Sequence, residues 1–192
     1  MTNYGADYLS RQQIAALPFK SVGGNVHIHP RVVLVGIENI AIGSNVRIDP
    51  DVIILATGPV EIGSYIHIGA QCYLAGGGGI TLSNFTNLSQ GVKLYSTSDD
   101  YSGACMTNPM IPPELSHPVV APIVLREHVI IGSGSVVLPG VTLEEGTAIG
   151  ALSLVTQSTK PWMIYGGTPA RALKARRKDA LAIGRQLIPA AK

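Results

Sequence analysis

Ile42-Gly43-Ser44-Asn45-Val46-Arg47, Ile68-Gly69-Ala70-Gln71-Cys72-Tyr73 and Ile131-Gly132-Ser133-Gly134-Ser135-Val136 are three copies of one six-residue unit, an aliphatic residue followed by glycine and a small or polar turn. Aliphatic residues recur every six positions as Val22, Ile28, Leu34, then Ile42, Ile48, Ile54, then Ile62, Ile68, Leu74, then Leu82, Leu88, Leu94, each group starting eight residues after the last one ends. Corresponding positions are therefore 20 apart through four groups, and after an interruption Leu125, Ile131, Val137, Leu143, Ile149 and Val155 resume the spacing of six. An amphipathic helix repeats at about 3.6, and a plain two-residue alternation would not place Gly after so many aliphatics. The spacing fits a coil with three short flat sides. Each side points one aliphatic residue inward and a second small or apolar residue four positions later, while Gly, Asn, Asp or Ser turns the corners that need positive φ. Stacked coils form a prism with parallel sheets on its sides, share one core between neighbours and need caps at the ends.

Composition limits the functions available. Lys plus Arg number 14 and Asp plus Glu 12, a formal charge of +2 that gives no reason to expect a nucleic-acid partner. Charged residues are 14% and aromatics 5%, so the core must be built from small and branched aliphatics. No apolar run approaches the roughly 20 residues of a membrane span, and the start of the chain lacks the basic-then-apolar order of a signal peptide, so the cytoplasm is the expected compartment. Cys72 and Cys105 have no CxxC spacing, which leaves neither a disulfide framework nor a four-thiolate zinc site.

The chain divides into a helical cap at residues 1–21, a repeat body at 22–160 carrying a loop at 95–124, and a tail at 161–192. The loop is rich in Pro, Ser and Asp, and loops of this length in compact domains usually carry function. In the tail, Arg171, Lys174, Arg176, Arg177, Lys178, Arg185 and Lys192 are opposed only by Asp179, which makes either a solvated basic face or a site for an anionic ligand. Pro169 to Gln186 reads as a helix, since Pro suits a first turn and Ala, Leu, Lys and Arg are good helix formers.

The order of hexapeptides, loop, the unit at Ile131 continuing through Val137-Leu138-Pro139-Gly140-Val141, and Gly166-Gly167-Thr168-Pro169-Ala170-Arg171 resembles the hexapeptide-repeat acyltransferases, in particular the maltose, galactoside and colanic-acid O-acetyltransferase branch. The resemblance implies an all-β repeat fold: a left-handed parallel β-helix with a long loop insertion and a C-terminal α-helix. It further implies a homotrimer with active sites between subunits, acetyl-CoA as donor with no metal required, and direct transfer to a sugar or nucleotide-sugar acceptor. Its coenzyme contacts fall on Ser133, Ala151, Thr156, Gln157, Arg171 and Lys174, with Gln157 standing where relatives often carry Lys and Lys160 close enough to supply that charge.

At the start of the loop the resemblance places a His general base, and the aligned residue here is Asp99, followed by Asp100. A carboxylic acid with a pKa near 3.9 removes a hydroxyl proton poorly. Three resolutions stand open. Asp99 with Asp100 is a base of raised pKa; His117 folds back to the site or reaches a neighbouring subunit; or the acceptor is an amino sugar, whose amine needs only a carboxylate to position the ammonium and accept a proton. Tyr73, Asn87, Ser89, Tyr95 and Ser98 would supply polar groups for the acceptor. His67 faces outward on a prism side and lines the acceptor pocket if that side is buried between subunits. His27 and His29 read as surface or capping groups, His128 as a solvated corner residue, and Gly76-Gly77-Gly78-Gly79 as a flexible corner, since no phosphate-loop Lys follows it. Two other functions compete. A zinc hydratase of the carbonic-anhydrase type would need three His ligands, and a non-catalytic scaffold would leave the loop carboxylates and basic tail without a task.

Overall fold

The computed structural model describes residues 7–187; residues 1–6 of the expected cap and Lys192 of the basic tail lie outside the described residues. Three parallel sheets form the sides of a solenoid of about seven turns. The first face stacks Ser21–Val22, Ile40–Ile42, Val60–Ile62, Ile80–Leu82, Ile123–Leu125 and Thr142–Leu143. The second stacks Val26–Ile28, Val46–Ile48, Ile66–Ile68, Asn87–Leu88, Ile130–Ile131 and Ala148–Ile149, followed by Met163–Gly166. The third stacks Val33–Val35, Ile53–Leu55, Tyr73–Ala75, Lys93–Tyr95, Val136–Val137 and Leu154–Val155. Register follows the sequence period: Leu34 lies opposite Ile54, Ile54 opposite Leu74, and Leu94 opposite Val137 across the inserted loop.

Inward positions are filled as the pattern predicts, with Ile48, Ile54, Ile68, Leu88, Leu94 and Ile131 fully buried. The second inward series mixes apolar and hydroxylic residues: Val46, Val52, Cys72, Val92, Val129 and Val141 alternate along the axis with Thr86, Ser135, Thr147, Ser153 and Thr159 in its later coils, all buried. Each hydroxyl among these finds an oxygen, as Thr86 Oγ1 does on the Ser83 carbonyl at 2.6 Å and Thr147 Oγ1 on Thr159 Oγ1 at 2.8 Å. That satisfies the requirement that buried polar atoms be paired.

Every turn of the coil between the first and second faces is made by a residue of positive φ: Asn25, Asn45, Tyr65, Phe85, His128, Gly146 and Trp162. Aromatic side chains at such a position are unusual. Here they stack: Tyr65 on Phe85 with centroids 5.1 Å apart, Phe85 on His128 at 4.8 Å, and His128 against Trp162 at 6.1 Å. The expected solvated His128 is therefore a rung of an aromatic ladder, sandwiched because the coil repeat places ring over ring.

The tail departs from the expected long helix. Arg171–Ala175 is a strand, antiparallel to Met163–Gly166, and helix is confined to Asp179–Gly184. The last coil presents an unpaired strand edge, and main-chain hydrogen bonds to that edge outweigh the helix propensity of Ala, Leu, Lys and Arg. Beyond it the chain folds back along the aromatic corner. Arg176 Nη1 donates to the carbonyls of His128, at 2.8 Å, and Gly146, at 3.0 Å, and its guanidinium and the Lys178 ammonium lie over the Trp162 ring. At the other end, Ser10 caps the helix Arg11–Ala15 reciprocally with Gln13, and Ile14 covers the first coil.

The four-glycine corner is ordered. The Gly79 amide donates to the Gly76 carbonyl, the Gly78 amide to Ser96 Oγ, and a Cβ at Gly78 would fall 2.5 Å from the Ser96 carbonyl oxygen. Glycine is needed here because the base of the loop passes directly over this corner.

Cys72 is 1% exposed, donates to the Ser89 carbonyl, and burial pushes its thiol up to about 11. Thiolate is the reactive species, so the folded chain is expected to leave Cys72 unlabelled by iodoacetamide at pH 8, with labelling appearing only on unfolding. Mass mapping that finds Cys72 alkylated as fast as a free thiol would contradict this placement.

Candidate active site

Strand Lys93–Tyr95 ends the fourth coil, and the loop leaves there through Thr97–Ser98, which pairs antiparallel with Val119–Val120. Thr97 lies opposite Val120 and Ser98 opposite Val119. The hairpin thus returns the chain so that His117, two residues beyond the pair, comes back toward Asp99 and Asp100. His117 and Asp99 are exposed.

The two carboxylates differ. Asp100 Oδ1 accepts from the Ser102 amide at 2.9 Å, and its Oδ2 accepts from Ser102 Oγ at 2.7 Å and from Cys105 Sγ at 3.5 Å. These hydrogen bonds, the Ser102 side chain first, hold Asp100 below the ordinary carboxylate value. That is opposite in sign to the shift a general base needs, and the same bonds make Asp100 a turn-forming residue. The Asp99 side chain has no such turn bonds; only its carbonyl accepts, from Ser98 Oγ at 3.3 Å.

Tyr73 and Tyr95 project outward from the third face with ring centroids 5.6 Å apart, so two of the expected acceptor residues meet beside the loop base. Burial first, then the neighbouring Tyr73 and Tyr101, raise the Tyr95 phenol above its ordinary value. Ser89 sits at the corner between second and third faces, half-buried, its amide bonded to the Ile131 carbonyl. Directly before that corner, Asn87 Oδ1 is 3.1 Å from His67 Nδ1.

Sequence reasoning missed the groups around His67. Its Nε2 lies 2.7 Å from Oδ2 of Asp49, a carboxylate that also accepts from Tyr8 Oη at 3.0 Å and from Arg47 Nε at 2.9 Å. Burial pushes Asp49 upward, but bonds from His67, Tyr8 and Arg47 outweigh it and leave the group below its ordinary value. The signal was present, since Arg47, His67 and Asn87 are spaced by the 20-residue period and stack as direct strand partners. His29, expected at the surface, is 5% exposed in the same corner column.

The expected coenzyme residues divide into two groups. Ser133 and Ala151 are exposed on the Ser89 corner, and Arg171 begins the added strand close by. Thr156 and Gln157 follow Leu154–Val155 at the opposite end of the third face, the same end from which the loop leaves, and Lys160 lies farther round. Lys174 is exposed midway along the added strand, opposite Ile164. Neither Arg171 nor Lys174 is paired with a carboxylate among the described residues. Of the other tail cations, Arg176 is held by carbonyls and Arg177 by Asp179 at 2.7 Å. Within the described residues no three His, Cys, Asp or Glu side chains are grouped to hold a metal ion, and no helix is long and apolar enough to cross a membrane.

Comparisons with known proteins follow this geometry. No protein-family model matches the chain. It is 40% identical over 185 residues to the dTDP-4-amino-4,6-dideoxy-D-glucose acyltransferase of Escherichia coli, covering 96% of each chain. Among solved structures it is similar to AntD, an N-acyltransferase from Bacillus cereus, with a TM-score of 0.91 and 37% identity over 94% of this chain and 96% of that one. That AntD structure is a serine-to-cysteine variant holding dTDP-4-amino-4,6-dideoxyglucose and coenzyme A. Another carries an alanine in place of an aspartate ten positions farther along, and a third holds dTDP and 3-hydroxybutyryl-CoA.

Proposed function

The chain belongs to the hexapeptide-repeat acyltransferases, with their left-handed β-helix, and from that membership we propose that it acylates the amine of a nucleotide-linked amino sugar with a coenzyme A thioester. The observation that carries the reading is the carboxylate at Asp99. It stands where the maltose, galactoside and colanic-acid branch has a His base, and we read the loop as the place where this chain departs from that branch. A sugar hydroxyl needs a base near neutrality; an ammonium needs an anion to hold it and a modest proton acceptor. Ser89 and Asp99 are also ten residues apart, the separation of the serine and aspartate replaced in AntD.

In the proposed site Asp99 holds the ammonium and takes one proton from it, which frees the nitrogen lone pair to attack the thioester carbonyl. Ser89 supplies a hydroxyl toward the developing oxyanion; as the C–S bond breaks, the second nitrogen proton passes to the leaving thiolate, giving the amide and free coenzyme A. Arg171 and Lys174 meet coenzyme phosphates, Ser133 and Ala151 line its pantetheine arm, and Tyr73 and Tyr95 flank the acceptor sugar. His117 is kept as a loop residue near this rim.

The two groups of site residues lie at opposite ends of one face. Ser89, Ser133 and Ala151 occupy one corner, while Asp99, Thr156 and Gln157 occupy the other. A homotrimer joins them, because rotational symmetry sets one corner of each copy against the other corner of its neighbour. Supporting this, the third face is apolar on its outer side, with Val33 49% and Val35 46% exposed, and the loop exposes Tyr101, Met106 and Met110. We place the reaction in the cytoplasm, where coenzyme A thioesters and nucleotide sugars are made. The product is an activated donor suited to glycan assembly.

Thiol release should be measured with dTDP-4-amino-4,6-dideoxyglucose and with its 4-hydroxy counterpart, using acetyl-CoA and 3-hydroxybutyryl-CoA as donors. The amine is expected to react at least about a hundredfold faster, since the hydroxyl lacks a base matched to it. Faster turnover of the hydroxyl acceptor, or no thiol release with any sugar, would overturn the reading.

A further inference from the structure

Arg47, Asp49 and His67 form a charged cluster on the second face that acyl transfer, as described, does not use. Its arrangement is directional. The anion is inside, with the Asp49 side chain 11% exposed, while the Arg47 and His67 side chains are 52% and 31% exposed. By contrast the surface pair Arg31 and Asp51 leaves both partners about equally open, at 60% and 47%. Asp49 is also fully engaged, with Tyr8 and Arg47 Nε on Oδ1 and His67 and Arg47 Nη2 on Oδ2. It therefore acts as a tether that fixes Arg47 and His67 rather than as a competing surface charge. His67 Nε2 faces Asp49 Oδ2 at 2.7 Å and Arg47 Nη2 at 3.0 Å, and its Nδ1 faces Asn87 Oδ1 at 3.1 Å. The guanidinium and the ring are thus held side by side, outward, over one inward anion.

Position supplies the ligand. Ser89 follows Asn87 by two residues, on the fourth coil, and the coenzyme candidates Ser133, Ala151 and Arg171 lie on later coils. Donor and acceptor must meet at the level of Ser89, so the far end of the acceptor runs back over the third and second coils, which carry His67 and Arg47. Adjacent strands are about 4.8 Å apart, and two steps make about 10 Å, the reach of a hexose and the phosphates attached to it. A guanidinium held in fixed orientation suits phosphate oxygens by charge-assisted hydrogen bonds, and an imidazole beside it adds a ring N–H donor. We propose that Arg47 and His67, oriented by Asp49, are the anion subsite for the diphosphate of the nucleotide-linked acceptor. The proposal rests on the amino-sugar reading above for the identity of the ligand, and on the cluster alone for the site.

The test is calorimetric titration of thymidine diphosphate into the full chain, with coenzyme A titrated separately. Arg47→Ala and His67→Gln are each expected to weaken diphosphate binding about tenfold or more, with coenzyme A affinity unchanged, which shows that each variant is folded even where loss of an Asp49 partner lowers its thermal midpoint. Arg47→Lys should recover part of the loss and Arg31→Ala should change nothing. Asp49→Asn is the sharper case: if the carboxylate merely repelled phosphate, removing its charge would tighten binding, whereas the tether predicts weaker binding. Diphosphate affinity equal to the parent in both Arg47→Ala and His67→Gln overturns the proposal, as does a parent that binds no diphosphate. If the variants lose diphosphate while no nucleotide-linked amine is acylated by the parent, the subsite stands and the acceptor reading falls.

Discussion

Asp99→Asn is expected to lower kcat for amine acylation by about a hundredfold to a thousandfold, within the usual span for losing a positioned acid-base group. The amide is nearly isosteric, and the Asp99 side chain is exposed and takes no part in the turn that Asp100 builds, so the loop should keep its shape. What is lost is the charge: an ammonium is no longer held, and the amide cannot accept its proton. KM for the coenzyme A thioester should move little, since the coenzyme residues lie on later coils. Asp100→Asn disturbs the bonds to Ser102 and should act through loop order, by a few-fold. His117→Ala should likewise keep most activity, because the proposed mechanism gives the amine to the neighbouring carboxylate rather than to the imidazole. Steady-state thiol release on the three variants decides among them. A dead His117→Ala beside an active Asp99→Asn would move the base along the loop and with it the choice of acceptor.

The part of this fold legible in the sequence is the part dictated by period. Leu82, Leu88 and Leu94 lie opposite Leu125, Ile131 and Val137 in space, so the pattern of six survives the loop because the same interior must be filled on both sides of it. The corner was half legible. Asn25 and Asn45 are ordinary residues for positive φ, whereas Tyr65, Phe85 and Trp162 tolerate it only because each ring is covered by the next coil, a tertiary gain that local preference does not contain. The tail was misread for the same reason. Arg171–Ala175 has helix-forming residues, but an open sheet edge offers hydrogen bonds that composition cannot reveal. For the site, the sequence offers candidates in the loop and the last coils one by one, yet their division between two corners needs the coil geometry. The Asp49 tether was overlooked because it is 18 residues before His67, off the vertical ladder by one turn of the corner.

The aromatic corner makes the second large prediction. Gly146 has φ of +67° and sits between His128 and Trp162 in the column, and a Cβ there would collide with three carbons of the Trp162 ring. Glycine at this rung is what lets the indole drop onto the imidazole. Gly146→Ala therefore combines overpacking, about 1–3 kcal/mol, with left-handed backbone strain of about 1 kcal/mol. For a chain of this size the sum corresponds to a fall in thermal midpoint of about 5–15 °C. Trp162→Ala, at a residue 7% exposed that also underlies Arg176 and Lys178, should cost about 3–5 kcal/mol. The informative measurement is the combination. Once the indole is gone the new methyl has nothing to strike, so Gly146→Ala in the Trp162→Ala background should cost only its backbone strain, and the pair should be less destabilising than the sum of the singles. Denaturant unfolding of the four chains tests this. Additive losses would mean that Gly146 is required for its φ alone and that the stack over the last coil contributes nothing through this rung.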